Sequence, residues 1–187
     1  MVHSLEEISE QLAELQERLR NEDINSLVGG GVGLDLLGLK YIKDFQPRTH
    51  EDVDLYIDIS QRGRLMSLLK GMGIKIDPSS HKNPIHLIAY VNGITYDFFS
   101  VSGNEKYGFF IENASPLRAL VGRQVCSLHD YTPIRFHTDI ATYSENNYYV
   151  LDCLSEHNLL FNLRRSKERD IKVVKQIANI KNLELTN

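Results

Sequence analysis

The sequence predicts an α/β (α+β) chain: a small mixed β-sheet flanked by helices and closed by a short C-terminal helical segment. Three observations carry this. Leu5, Ile8, Leu12, Leu15 and Leu19 recur at steps of three and four, the spacing of one helix face. Val53, Leu55 and Ile57 alternate with Asp52, Asp54 and Tyr56, the period of a half-buried strand. Asn92-Gly93 separates two strand-like runs, the favoured pair for a two-residue hairpin turn. Helical and strand patterns interleave along the chain, which suits a sheet with helices on one side.

The chain has 187 residues, 42% apolar and 25% charged, the proportions of a soluble globular protein. That length suits one domain with a small appendage. The expected division is a core over 1–150, including the N-terminal helix, and a helical extension over 151–187 packed on it. A net charge of -4 speaks against extended nucleic acid as a partner. No apolar run approaches the roughly 20 residues that span a bilayer, so no membrane partner is expected. Cys126 and Cys153 lack metal-ligand spacing. With no signal-peptide pattern, a reducing cytoplasm is the expected compartment.

Each element has its own warrant. Ser4 and Glu7 form a capping-box pattern ahead of the first leucine stripe. That stripe suits packing on the sheet; it would also allow a homodimer seam. Ser26 to Val28 reads as a short buried strand, Gly29 to Gly31 as a tight turn, and Val32 to Leu39 as an apolar helix with Asp35 near its start. Tyr41 to Glu51, carrying Pro47, reads as a loop. Ser60 to Met72 is helical, with Leu65, Leu68, Leu69 and Met72 on its core face. Ile74 and Ile76 begin a strand, and 78–84 is a loop. In the hairpin, Ile85 to Val91 and Ile94 to Val101, a two-residue turn sets Val91 opposite Ile94 and Ile88 opposite Asp97. Tyr90, Tyr96, Phe98 and Phe99 are expected in the core. From 103 to 149 the pattern is weak. Val150 to Leu154 reads as a strand, with helical pieces at Asn158 to Asn162 and Ile171 to Ile180. Between them runs a basic stretch, Arg164 to Asp170.

The chemistry-bearing residues are the glycines and three aspartates. Strand residues two apart share a face, so Asp52 and Asp54 project together. Side-by-side carboxylates repel unless a cation neutralises them. Asp97, mid-strand on the hairpin, supplies a third. Such a set suits Mg²⁺, which takes few protein oxygens and leaves room for water and phosphate. The glycine turn fails the dinucleotide pattern G-x-G-x-x-G, because Leu34 or Leu36 stands where the third glycine belongs. A dehydrogenase-like function is therefore disfavoured. An EF-hand loop is dismissed, since its glycine, spacing and terminal Glu are missing. The turn is either close backbone packing or a set of N–H groups facing phosphate at a helix N-terminus.

Taken together, L-V-G-G-G-V-G-L-D (27–35), R-T-H-E-D-V-D-L (48–55) and Y-D-F-F-S-V (96–101) resemble the nucleotidyltransferase superfamily of the DNA polymerase β type. They are most similar to its small lincosamide and aminoglycoside 2″-O members. Asp35, Arg48 and His50 also fall on positions typical of that subgroup. Three departures stand out: a longer span around Leu39 to Pro47, an added glycine, and Val32 where an aromatic is expected. The resemblance implies that Asp52 and Asp54 bind metal, with Asp97 completing a second metal site or serving as general base. It implies Mg²⁺ as cofactor, as two ions, and a nucleoside triphosphate such as ATP as co-substrate. Gly30 and Gly31 would contact the triphosphate. Arg48 would clamp phosphate or pair with Asp35 or Glu51, His50 would be structural, and Lys167 is the first choice for a phosphate contact in the basic run. The implied reaction moves a nucleoside monophosphate to a hydroxyl of a small, antibiotic-like acceptor and releases pyrophosphate. Two alternatives stay open: a toxin-like enzyme acting on protein or tRNA, and a non-catalytic nucleotide-binding module.

Overall fold

The computed structural model describes residues 1–81, 83, 86–104, 108–110, 138–151 and 168–181. Helix α1 (Leu5–Asn21) leads into β1 (Ser26–Val28), α2 (Gly30–Tyr41) and β2 (Asp52–Asp58). A short 3-10 turn (Ile59–Gln61) precedes α3 (Arg62–Gly71), followed by β3 (Lys75–Ile76). The hairpin β4 (His86–Val91) and β5 (Ile94–Asn104) comes next, with β6 (Gly108–Phe110) folded against the end of β5. A second hairpin, β7 (Thr138–Tyr143) and β8 (Asn146–Leu151), and helix α4 (Glu168–Ile180) complete the described elements.

The sheet order is β3-β4-β5-β2-β1-β8-β7. It is mixed: β2 runs parallel to β5 and β1 parallel to β8, while the other pairs are antiparallel. The expected mixed sheet with helices is what forms. The first hairpin has the expected register, Val91 opposite Ile94 and Ile88 opposite Asp97. Its turn residues Asn92 and Gly93 both have positive φ, 48° and 86°, as a type I′ turn requires.

The core lies between one face of the sheet and the four described helices. Val28, Val53, Leu55, Ile57, Leu87, Ala89, Tyr96, Phe98, Tyr148 and Val150 join the apolar stripes of α1 to α4 in one buried cluster. The Leu5–Leu19 stripe is fully committed to it, each residue at most 2% exposed. The route to a homodimer through that stripe is therefore closed. Its capping box is present: Ser4 Oγ accepts from Glu7 N, and Ser4 N donates to Glu7 Oε2.

Several boundaries differ from those the sequence predicts. Helix α2 starts at Gly30 rather than Val32, because Gly29 serves as its N-cap and Gly33 N already bonds Gly29 O at 2.9 Å. The same helix runs on to Tyr41, and Phe45 packs its ring over Gly38 where any side chain would clash. Part of the longer 39–47 span is thus helix and part its lid. The hairpin at 138–151 is absent from the sequence reading beyond its last strand residues. Lys167, Cys126, Cys153 and the helical piece at 158–162 lie outside the described residues.

Candidate active site

The pairing of β2 with β5 assembles the carboxylates. Asp54 lies opposite Asp97 in the parallel register, and Asp52 opposite Thr95, all on the face away from the core. Neighbouring strands are about 4.8 Å apart, so the two paired aspartates stand shoulder to shoulder. Burial pushes the Asp54 carboxyl up to about 7, and the charges of Asp52 and Asp97 push it the same way against the pull of His86. Asp52, at the exposed rim, is also raised, first by desolvation and then by Asp97 and Glu51. Like charges this close cannot all stay ionised unless a proton or a cation neutralises them.

His86 comes to this face from β4, opposite Phe99. Its Nε2 stands 3.3 Å from Asp97 Oδ1, and its ring stacks on Phe99 with centroids 4.8 Å apart. Tyr56 continues the aromatic row, 5.5 Å from Phe99. Tyr96 and Phe98 are buried as expected, but Phe99 and Tyr90 are not core residues. Odd and even positions on β5 face opposite ways, and Phe99 shares the face of Asp97, with Tyr90 37% exposed.

The glycine turn packs directly on β2. Gly29 N donates to Asp54 O at 2.9 Å. Gly30 has a φ of +55°, and a Cβ there would overlap Asp54 Oδ2. A Cβ on Gly29 would strike the Tyr56 ring. Only glycine allows the turn to approach the strand this closely. Helix α2 has no side-chain cap, so the amides of Gly30, Gly31 and Val32 have no acceptor within the helix. They lie at its positive end, beside the carboxylates.

Behind the turn is a buried charge network centred on Asp35, 1% exposed. Its Oδ2 accepts from Arg48 N at 2.6 Å, and His50 Nε2 lies 3.3 Å from the same oxygen. Arg48 Nε stands 3.5 Å from Asp35 Oδ1, and Arg48 Nη1 pairs with Asp170 Oδ1 of α4 at 2.6 Å. Arg48 Nη2 donates to Gly31 O at 3.3 Å. Arg169, also of α4, donates to Gln46 O at 2.6 Å and approaches Asp35 Oδ2 at 3.8 Å. Of the two pairings expected for Arg48, Asp35 is the one formed.

Residues 11–103 match the family described as aminoglycoside-2''-adenylyltransferase. The matched stretch takes in the glycine turn and all three aspartates. Its fold is similar to that of the lincosamide antibiotic adenylyltransferase LnuA in its lincomycin-bound crystal structure, at a TM-score of 0.59 and 19% identity. The match covers 91% of this chain and 96% of LnuA. It is similar as well to ANT(2")-Ia in complex with adenylyl-2"-tobramycin, at a TM-score of 0.53 and 11% identity, covering 91% of this chain and 88% of that one. No curated protein sequence matches it.

Among the described residues, no three His, Cys, Asp or Glu side chains are gathered tightly enough to enclose a metal ion. The donor set nonetheless fits a hard divalent cation. Asp97 Oδ1 is buried with no hydrogen bond, its ion-pair neighbour His86 Nε2 standing at 3.3 Å, and Asp54 has two like-charged neighbours, Asp52 and Asp97. Sequence reasoning missed His86 and Asp170 as members of the site and its support. His86 was within reach, because the register fixed by Asn92-Gly93 also sets it opposite Phe99. Asp170 was not, since its place depends on how α4 docks.

Proposed function

We propose that this chain transfers a nucleoside monophosphate from a nucleoside triphosphate to a hydroxyl of a small, antibiotic-like acceptor, releasing pyrophosphate in a Mg²⁺-dependent reaction. The observation that carries the reading is the register of Asp54 beside Asp97, with Gly30 pressed against Asp54. The end-to-end likeness to LnuA and ANT(2")-Ia supports a small acceptor over a protein or tRNA. The complete set of three aspartates supports an enzyme over a binding module.

In this reading Asp52, Asp54 and Asp97 hold two Mg²⁺ ions. Bound there, the metal would neutralise triphosphate charge and stabilise the entering and leaving oxygens. The remaining work falls to the chain. The Gly30 and Gly31 amides donate to phosphate oxygens at the start of α2. Asp97 is the third carboxylate or the general base that takes the acceptor hydroxyl's proton, and His86 holds that carboxylate in orientation. Arg48 lies behind Gly31, and Lys167 is proposed as a cationic phosphate contact from the C-terminal segment. Residues 151–187 are proposed as an extension of a 1–150 core, and the cytoplasm as the compartment. Among the described residues no helix is long and apolar enough to cross a membrane.

Titration calorimetry tests the site. Saturable nucleoside triphosphate binding is expected with Mg²⁺ and not with EDTA. Asp52→Asn and Asp54→Asn should each weaken it by at least about tenfold, as loss of a metal-site group does. Binding that survives both changes would sink the assignment. Incubation with a lincosamide or an aminoglycoside should then add one nucleoside monophosphate to the acceptor by mass spectrometry.

A further inference from the structure

We propose that Arg48 is a positioning residue that links the C-terminal helix to the glycine turn, rather than a phosphate clamp. The inference rests on the nucleotide-site reading above. It follows from how the guanidinium is used. Nε faces Asp35, Nη1 pairs with Asp170, and Nη2 donates to the Gly31 carbonyl. Both terminal nitrogens are engaged, Nη1 in the ion pair with Asp170 and Nη2 in the hydrogen bond to Gly31 O, and Nε faces Asp35 at ion-pair distance without a hydrogen bond; the side chain is 18% exposed. Two carboxylates, Asp35 and Asp170, hold the fork. Its third arm fixes the carbonyl of the residue whose amide faces the site.

The packing makes this arm consequential. A Cβ on Gly31 would stand 3.1 Å from both Arg48 Nη2 and His50 Nδ1, so the turn is seated against these two side chains. On its other side Gly30 touches Asp54. The first turn of α2 is therefore held between the metal strand and a charge pair anchored on α4. Displacement of the Gly30–Val32 amides by a fraction of an ångström would spoil their donor geometry toward phosphate. Arginine suits this place because its planar fork faces two carboxylates and a carbonyl at once; lysine keeps the charge and loses the geometry.

Two variants test the link. Asp170→Asn removes the α4 anchor at a partly exposed position, on a different element from the glycine turn. Arg48→Lys keeps the charge and removes the fork. Each should weaken Mg²⁺-dependent triphosphate binding by about tenfold, the size of one lost charge-assisted hydrogen bond. KM for the triphosphate should rise with kcat nearly unchanged, because the turn grips ground state and transition state alike. The double variant should be no worse than either single one, since both break the same link. Amide hydrogen exchange at 30–32 should accelerate in both.

Wild-type affinity in Asp170→Asn would overturn the proposal. So would a double variant whose loss is the product of the single losses, or Arg48→Lys binding within about twofold of wild type, the result for a charge-only clamp. If wild-type protein binds no triphosphate at all, the nucleotide-site reading fails. Exchange at 30–32 then decides the link alone: acceleration in both variants upholds it, and unchanged exchange overturns it.

Discussion

Gly30 shows how much a single residue carries. Its φ of +55° lies in the left-handed region, and a side chain there would displace Asp54. Gly30→Ala should cost about 1–2 kcal/mol for the backbone conformation, with a further loss of Mg²⁺-dependent triphosphate binding as Asp54 is pushed aside. Gly71→Ala is the control. It ends α3 in open space, and should be neutral or stabilising by up to about 1 kcal/mol. Urea unfolding gives both stabilities, and a Gly30→Ala protein as stable as wild type would contradict the argument. The glycine cluster was legible in the sequence as a tight turn. Which glycine meets Asp54 was not, because that depends on β1 and β2 pairing antiparallel. The three aspartates were legible because strand alternation and a two-residue hairpin fix their faces locally. The partners of Arg48 were half legible: Asp35 precedes it by one short loop, whereas Asp170 arrives through tertiary docking.

At the scale of elements, the two hairpins explain why one was read and the other missed. Asn92-Gly93 accepts positive φ readily. The turn of the second hairpin is Ser144-Glu145, with φ of 47° and 68°, and neither residue type advertises that conformation. That hairpin is tied down elsewhere. Asp139 on β7 receives Lys40 Nζ at 2.5 Å and Tyr41 OH at 2.6 Å, both from the end of α2, with Lys181 at 3.5 Å. Burial alone would raise the Asp139 carboxyl. The hydrogen bonds from Lys40, Tyr41 and the Ile140 amide outweigh it and hold the carboxyl below its usual range. A folded-state value below the unfolded one contributes stability above the ordinary carboxylate range. That contribution is lost as pH falls through the lowered folded value. Asp139→Asn should therefore lower the melting temperature at pH 7 and leave it nearly unchanged at pH 2. Equal losses at both pH values would remove the charge argument.

Across the whole molecule, α4 decides whether the C-terminal segment is an appendage or part of the core. Val173, Val174 and Ile177 are at most 4% exposed and belong to the same buried cluster as α1, α2 and the sheet. The charge network runs the same way, from Asp170 through Arg48 to the glycine turn. An appendage resting on a finished core would unfold first and leave the rest intact. A helix that completes the core cannot be removed without exposing the apolar face of α2 on which it packs. Ile177→Ala should then cost about 2–5 kcal/mol, the range for large-to-small changes at buried positions. The loss should fall on one cooperative transition, with far-ultraviolet circular dichroism and tyrosine fluorescence following a single curve in urea. An early, separate loss of helical signal would show that α4 docks on an independently stable core. The coupling of α4 to the glycine turn would then have to come from the Arg48–Asp170 pair alone, without support from shared packing.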